Sequence, residues 1–382
     1  LSHQIGVLAM YLPGRRLEEI SFFRKLCVAG NKLGLEVLIF TPDDMDSARG
    51  RIHAMTYNAN RAAWLRKWAP VPPLIYDRCR YHGAHNYRKL TRFRQKHAKL
   101  RYLGRMMASK WTVHQLLSEH PQIAPHLPAT VRYKDAKELA SFLKRYPVVF
   151  LKPKNGTGGR GIIRLQRTAG GTTYLMQGRD PHRRIIPARR ITASQIPARL
   201  AGWKLSEKYI VQQGIPLELN NGRVHDFRML IQKDGQGRWQ VTGCAGRIGP
   251  KASVTSNLHG GGKAVPMETL LRQRFKSPSK VDEIREQAYA LGLNVAEQIE
   301  KHFGPQCETG IDLAVDPKGN VWLLEVNPKP SREVFRRIGE KETYRQAIYR
   351  PLEYALWLMQ RPKSPEKADP VPEPQAEAGV TA

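Results

Sequence analysis

A chain of 382 residues is long enough for two or three structural units with a buried core. Lysine and arginine number 63 against 33 aspartates and glutamates, and the resulting formal charge of +30 favours acidic polymers, anionic metabolites or nucleic acid as partners. Cys27, Cys79, Cys244 and Cys307 stand far apart with no paired spacing, which argues against a disulfide framework or a cysteine-ligated zinc and for a reducing compartment. No apolar run reaches the roughly 20 residues of a membrane helix.

The opening "LSHQIGVLAMYLPG" lacks a basic head and a cleavable apolar core, so no signal peptide is expected. Leu1 in place of methionine suggests an alternative start codon or a trimmed N-terminus. Ile5 to Tyr11 reads as a strand, "LEEISFFRKLCVAGNKLG" as a helix ending at Gly34, and Leu35 to Thr41 as a strand: a βαβ opening. Through "AWLRKWAPVPPLIYDRC" the prolines break any helix, and Pro73 to Arg78 reads as a further strand. The densest basic run, Arg88 to Arg105, carries Leu90, Phe93, Leu100 and Leu103 at roughly helical spacing. It reads as the solvated face of a helix, with nucleic-acid binding as the alternative. His82 and His85, with no other ligand types nearby, read as loop histidines, and Trp64, Trp68 and Trp111 as core or inter-unit contacts. Residues 41 to 90 show no chemically legible pocket, and a first α/β unit is placed at 1–105.

Ser109 precedes a helix in "ASKWTVHQLLSEHP" as its cap, followed by a strand in "LPATVRY" and a helix in "DAKELASFLKRYP". Gly156, Gly158, Gly159 and Gly161 in "VVFLKPKNGTGGRGIIRLQR" allow backbone N–H groups to approach phosphate oxygens. A dinucleotide fingerprint would need a helix after these glycines, but "GIIRLQR" reads as a strand, so they tip a hairpin flap. No Gly-Lys-Ser/Thr closes the loop, which excludes a P-loop. From "YIVQQGIPLEL" through "VHDFRMLIQ" and "RWQVTGCAGRIG" the pattern is antiparallel strands with turns at 220–222 and 234–237. A long amphipathic helix follows in "VDEIREQAYALGLNVAEQIEKHFG", and a last helix is interrupted by Pro351. From Arg361 the Pro-, Glu- and Ala-rich residues have almost nothing to bury and are expected to be a disordered tail.

"GIDLAVDPKGNVWLLEVNPKP" reads as a hairpin of two apolar strands joined by a turn at 316–320. Asp312, Glu325 and Asn327 supply hard oxygen donors of the kind Mg2+ prefers, and the two-residue spacing of Glu325 and Asn327 places both on one face. The competing reading is a polar edge strand. Upstream, Lys110 and Lys152 lie beside the flap, and Arg228 and Arg247 lie on strands between flap and clamp. Together they compose an anion site with a metal at its floor. Lys152 is alternatively an exposed strand lysine, and Arg228 a structural partner of Asp226.

These segments, in this order over about residues 106–360, resemble the ATP-grasp enzymes: "SKW", "FLKPKNGTGGRGI", "YIVQQGI", "HDFRMLI", "SNLHGGG" and the final hairpin. The "SNLHGGG" stretch is similar to its counterpart in ribosomal-protein glutamate ligase. The resemblance implies an α/β (α+β) architecture, with an N-terminal βαβ unit followed by a two-lobed ATP-grasp fold. The flap lobe would span about 125–210 and the metal and substrate lobe about 211–360. It implies ATP and Mg2+ as cofactors. Lys110, Lys152 and the flap glycines would hold phosphates, and the backbone around Gln212, Gln213 and Ile215 would pair with adenine. Glu218 would take the ribose, Asp312, Glu325 and Asn327 the metal, and Arg228, Arg247 and Asn257 would face the transferred group. The opening of the chain and "SKWTVHQLLSEHPQIAPHLPAT" resemble the YheC/YheD group of endospore coat-associated proteins. That likeness implies a place in the mother-cell cytoplasm or the spore coat, with coat proteins as partners.

Three functions follow as expectations. The first is a ligase that activates a carboxylate as an acyl phosphate for an amine or other nucleophile, with an acidic peptide as a substrate suited to the basic surface. The second is a coat component that binds nucleotide without turnover. The third is nucleic-acid binding, marked by steep salt dependence and no need for ATP.

Overall fold

A computed structural model describes residues 3–361 apart from 81–82, 156–158, 183, 207, 252, 257 and 259–260. His82, Gly156, Gly158, Asn257 and the expected tail beyond Arg361 therefore lie outside the described residues.

The first sheet begins as expected. Strands β1 (His3–Leu8) and β2 (Leu35–Phe40) pair in parallel, which requires a crossover, and α1 (Ile20–Lys32) supplies it. Gly30 sits where α1 meets β2, and a Cβ there would lie 2.5 Å from the carbonyl oxygen of Leu35. Strands β3 (Met45–Asp46), β4 (Arg51–Asn58), β5 (Ala63–Pro70) and β6 (Leu74–Asp77) follow, then α2 (Gly83–Lys96) and β7 (Arg101–Tyr102). The sheet order is β3-β4-β2-β1-β6-β7, with β5 on β4. Three sequence expectations change here. The stretch before Pro72 is a strand, β5, whose middle residues face solvent and so show no apolar alternation. Trp68 is 51% exposed and stacks on His53. The basic helix ends at Lys96, and His85 lies on it rather than in a loop.

Helix α3 (Lys110–Ser118) starts at Ser109, whose Oγ accepts the Thr112 N–H at 3.3 Å. Strand β8 (Thr130–Arg132) and helix α4 (Ala136–Arg145) lead into β9 (Val148–Pro153) and β10 (Ile162–Arg167), the expected flap hairpin. Strands β11 (Thr173–Arg179), β12 (Ile185–Thr192) and β13 (Tyr209–Gln213) complete an antiparallel sheet in the order β8-β13-β9-β10-β11-β12. The lobe boundary expected at 210/211 thus falls inside β13, which pairs with the flap strand β9 and not with the strands that follow it.

The third sheet contains β14 (His225–Lys233), β15 (Trp239–Ile248), β16 (Lys263–Pro266), β17 (Glu308–Val315) and β18 (Val321–Asn327), ordered β16-β15-β14-β17-β18. Helix α5 (Met267–Arg274) and the long α6 (Pro278–Phe303) connect the two halves. Phe227, Met229, Ile231, Ile311 and Leu313 form one core with Ile284, Ala288, Leu291 and Val295 of α6.

The last helix, α7 (Lys341–Met359), runs straight through Pro351. Proline removes the N–H that would bond to the carbonyl of Ala347. That oxygen instead accepts Arg332 Nε at 3.0 Å and Gln232 Nε2 at 3.1 Å, so the helix continues without an orphaned acceptor. A buried polar network docks the first sheet on the third: Glu308 accepts Arg78 Nη1 at 2.8 Å, Tyr76 Oη at 2.5 Å and Gln232 Nε2 at 2.9 Å, and also pairs with Arg332.

Candidate functional site

Alternation along β14 sends Phe227 and Met229 to the α6 core and leaves Asp226 and Arg228 on the opposite face. The register then sets Arg247 of β15 opposite Asp226, Asp312 of β17 opposite Arg228, and Glu325 of β18 opposite Asp312. A belt of alternating charge results. Arg247 donates to Asp226 through Nε at 2.7 Å and Nη2 at 2.5 Å, and its Nη2 also lies 3.0 Å from Asp312 Oδ2. Arg228 grips Asp312 with Nε and Nη2, the latter at 2.9 Å. The Arg228–Asp226 pair considered from the sequence is not formed, because directly opposed residues on neighbouring strands approach more closely than residues two apart on one strand. Burial raises the pKa of Asp312, but Arg228 and Arg247 outweigh it and hold the carboxyl at about 2. Burial lowers the pKa of Arg247, and Asp226 and Asp312 more than reverse this, so it stays charged.

Alternation alone would point Glu325 into the core, since Val321 and Leu323 on the same parity both pack under α6. A β-bulge prevents this: Asp312 is opposite Glu325 but Leu313 is opposite Leu323, so Leu324 is the extra residue. After it Val326 packs on the core, and Glu325 and Asn327 turn to the face of Asp312. The Nδ2 of Asn327 is buried and has no hydrogen-bond partner among the described residues. Among the described residues no group of three or more His, Cys, Asp or Glu comes together, so a clamp here is two carboxylates and an amide. That donor set fits Mg2+, which takes few protein ligands and keeps several waters.

The flap sheet brings the lysines. Lys110, the first residue of α3, places Nζ 3.2 Å from Glu325 Oε1, and its N–H bonds the carbonyl of Lys154 at 3.2 Å, tying the helix start to the end of β9. Lys152 Nζ donates to Gln212 Oε1 at 2.6 Å, and Gln212 in turn donates to Thr130 Oγ1 at 3.0 Å. Burial, followed by repulsion from Lys110, lowers the Lys152 pKa to about 8 against the opposing pull of Glu325, Asp312 and Asp226. The exposed-lysine reading of Lys152 does not hold. Gly159 and Gly161 both have positive φ, and a Cβ on Gly161 would meet Tyr209 Oη at 2.8 Å.

At the end of β13 the N–H groups of Gln213 and Gly214 bond the carbonyls of Ala129 and Val148, both at 2.8 Å. The Ala129 N–H turns to the side-chain Oε1 of Gln213 at 3.1 Å instead of its backbone carbonyl. Ile215 is buried beside this strand end. Glu218 pairs with Arg164 at 2.6 Å, apart from the belt. Sequence reasoning missed Asp226 as the anchor of Arg247, although the D-F-R spacing of 226–228 carries that signal. It also missed Arg179 of β11, a buried guanidinium that reaches Ser253 Oγ at 3.2 Å and whose Nε has no partner among the described residues. No local motif marks that residue.

An antiparallel sheet with a glycine flap and a half-buried lysine, combined with a second antiparallel sheet carrying two carboxylates and an amide on its last two strands, is the ATP-grasp fold. The chain belongs to the YheC/D-like ATP-grasp family, whose sequence model matches residues 99–358. Over 332 residues it is 26% identical to the endospore coat-associated protein YheC of Bacillus subtilis, covering 86% of this chain and 89% of that one. In fold it is similar to D-cycloserine synthetase DcsG, with a TM-score of 0.55 at 13% identity over 94% of this chain and 99% of that chain. It is also similar to the ATP-grasp ligase PsnB in complex with a minimal precursor, with a TM-score of 0.52 at 15% identity over 94% and 100%. Among the described residues no helix is long and apolar enough to cross a membrane.

Proposed function

We propose that the chain is an ATP- and Mg2+-dependent ligase that joins a carboxylate to an amine or another nucleophile. The observation that carries this reading is the meeting of Lys110 and Lys152 with the Asp312, Glu325 and Asn327 clamp. A substrate carboxylate attacks the terminal phosphorus of ATP, ADP leaves, and the nucleophile then displaces phosphate from the acyl phosphate. No side chain needs to act as nucleophile. Mg2+, held by Asp312, Glu325 and the amide oxygen of Asn327, would neutralise charge on the phosphates.

Lys110 and Lys152 contact those phosphates, and the flap glycines cover them and exclude water. Glu325, paired with Lys110 at 3.2 Å, would be free to hold the metal once Lys110 turns to phosphate. Arg228 and Arg247, fixed in place by Asp312 and Asp226, present preorganised positive charge to the transferred group. Asn257 joins them in this reading by resemblance. The carbonyl of Gln213 and the N–H of Ile215 would read the adenine edge, with Gln212 holding Lys152 and Glu218 reaching the ribose. The same reading keeps a first α/β unit at 1–105 and the ATP-grasp unit at 106–360. The fold of PsnB, a ligase seen with a precursor, and the +30 charge support a peptide as one substrate.

ADP release by purified protein, measured over a panel of amino acids and acidic peptides, tests the reading. Release that requires Mg2+, an acceptor and Glu325, judged against Glu325→Ala, is the expected result; nucleotide binding that ignores Glu325 and Mg2+ sinks it. The name of YheC favours a second reading, a nucleotide-binding coat component made in the mother cell and retained in the coat. Tight ADP binding without turnover on any acceptor, with the protein recovered in spore-coat extracts, would select it.

A further inference from the structure

We propose that the outer face of α2 is a docking site for an acidic peptide, distinct from the nucleotide clasp. A cavity of about 680 Å³ lies between α2 and the segment that follows β2, with Arg88, Arg92, Lys96 and His97 on one wall and Pro42 and Met45 on the other. Residues 88, 92 and 96 are four apart, so their side chains stack along one helix face at about 6 Å per step. Leu90 faces the core, and Phe93 is buried at the base of the cavity with its ring 6.3 Å from that of Phe40. The helix contains no acidic residue.

The pairing of its cations separates two jobs. Arg94 is spent on structure: it holds Asp77, which also binds Lys329 Nζ at 2.8 Å, two residues past Asn327. Lys89 pairs with Asp43. Arg88, Arg92 and Lys96 are exposed and make no ion pair among the described residues. A row of unpaired cations along a concave wall, on a helix fastened beside the clamp, is a site for repeated negative charge.

The spacing selects an extended chain of carboxylates. Alternate side chains of an extended peptide repeat at about 6.6 Å, close to the helix step, so acidic residues two apart can each meet one cation. Of the rings that line the wall, Phe93 is 7% exposed and His97 packs against it with ring centroids 4.7 Å apart. His85 is then the one open ring among the lining residues, a poor platform for the successive base stacking that a single-stranded nucleic acid needs. The site stands on this cavity and does not depend on the ligase reading.

Fluorescence anisotropy with a labelled Glu-Gly repeat decapeptide tests the proposal, with a Gln-Gly repeat and a single-stranded oligonucleotide as competitors. The variant Arg88→Ser/Arg92→Ser/Lys96→Ser is compared with Lys137→Ser/Lys144→Ser/Arg145→Ser, which removes the same charge from exposed positions on α4. The expected result is binding that weakens with salt, a loss of about tenfold or more for the α2 variant, and less than about twofold for the α4 variant. ADP binding stays unchanged in both; if the wild type itself fails to bind ADP, the ligase reading falls and the docking site remains. Equal losses in the two variants, no loss in the α2 variant, or displacement of the peptide by the oligonucleotide but not by excess unlabelled Glu-Gly peptide would each overturn the proposal.

Discussion

If Lys152 holds phosphate as proposed, it makes nucleotide binding sensitive to pH in a range where most lysines are inert. Its pKa of about 8, set first by burial and then by Lys110, leaves it about nine-tenths protonated near pH 7 and about one-tenth near pH 9. If only the cationic form holds phosphate, apparent affinity scales with that fraction, and Kd for ADP rises about ninefold between the two pH values. The Arg variant keeps its charge throughout, so Lys152→Arg flattens the profile even if it binds more weakly at every pH. Isothermal titration of ADP in the presence of Mg2+, with buffers of different ionisation enthalpy, also reports proton uptake on binding near pH 8. A flat wild-type profile, or a ninefold step that persists in Lys152→Arg, refutes the argument.

The same shift has a stability consequence of opposite sign. The folded pKa lies below the ordinary 10.5, so the protonated form is penalised below about 8, and the penalty fades as pH rises from about 8 to 10.5. With one unit worth about 1.4 kcal/mol, a shift of this size corresponds to about 3 kcal/mol before solvent screening is counted. Lys152→Met removes the penalty but leaves Gln212 Oε1 without its donor, at a cost of about 1–3 kcal/mol. The gain at neutral pH is therefore small, while nucleotide binding is lost.

Removing one partner of the buried Asp226–Arg247 pair should be costly. Asp226→Ala is expected to lower the urea-derived stability by about 3–5 kcal/mol, and Asp226→Leu/Arg247→Met to recover much of it. Asp312, held at about 2, contributes stability that is full above its ordinary 3.8 and is lost as pH falls toward 2. Asp312→Asn should flatten that part of an acid-denaturation curve. Deleting Leu324 removes the extra residue and makes Leu323 and Glu325 neighbours opposite Leu313 and Asp312, so a regular ladder keeps Glu325 on the Asp312 face and Mg2+-dependent ADP binding should survive. Loss of that binding in a folded deletion variant would refute the bulge assignment. Leu324→Ala, which keeps the residue count, should retain binding.

What could be read from the sequence was whatever local chemistry decides. The turn at Asp316 is one case, since its own carboxylate accepts the N–H groups of Lys318 and Asn320 at 2.9 and 3.0 Å. Ser109 as a cap and the flap hairpin are others. What could not be read depends on residues far away in the chain. Pro351 interrupts a helix by every local rule, yet Gln232 and Arg332 supply the donors that let it continue. Membership of β13 in the flap sheet rests on pairing with β8 and β9, some 60 to 80 residues upstream. The segment 41–90 showed no pocket because the cavity needs α2 and the segment after β2 brought together. Glu325 and Asn327 do share a face, as their two-residue spacing implies, but alternation from Val321 gives them the wrong one; the bulge at Leu324 supplies the missing half-step.

The belt divides its cations by function. Arg228 and Arg247 are locked by Asp312 and Asp226, and the locking keeps Arg247 charged at any working pH. They lose almost no freedom when a charged group arrives, which is the property required of residues that stabilise developing charge. Lys110 and Lys152 are held more lightly, one by a partly exposed Glu325 and the other by the neutral Gln212. Each can exchange its partner for a phosphate oxygen at small cost, and the exchange at Lys110 uncovers Glu325. On the proposed reading, nucleotide entry and metal coordination at Glu325 would be linked through Lys110. Each should strengthen the other by the same factor, and Lys110→Met should remove the coupling while leaving the Arg–Asp pairs intact.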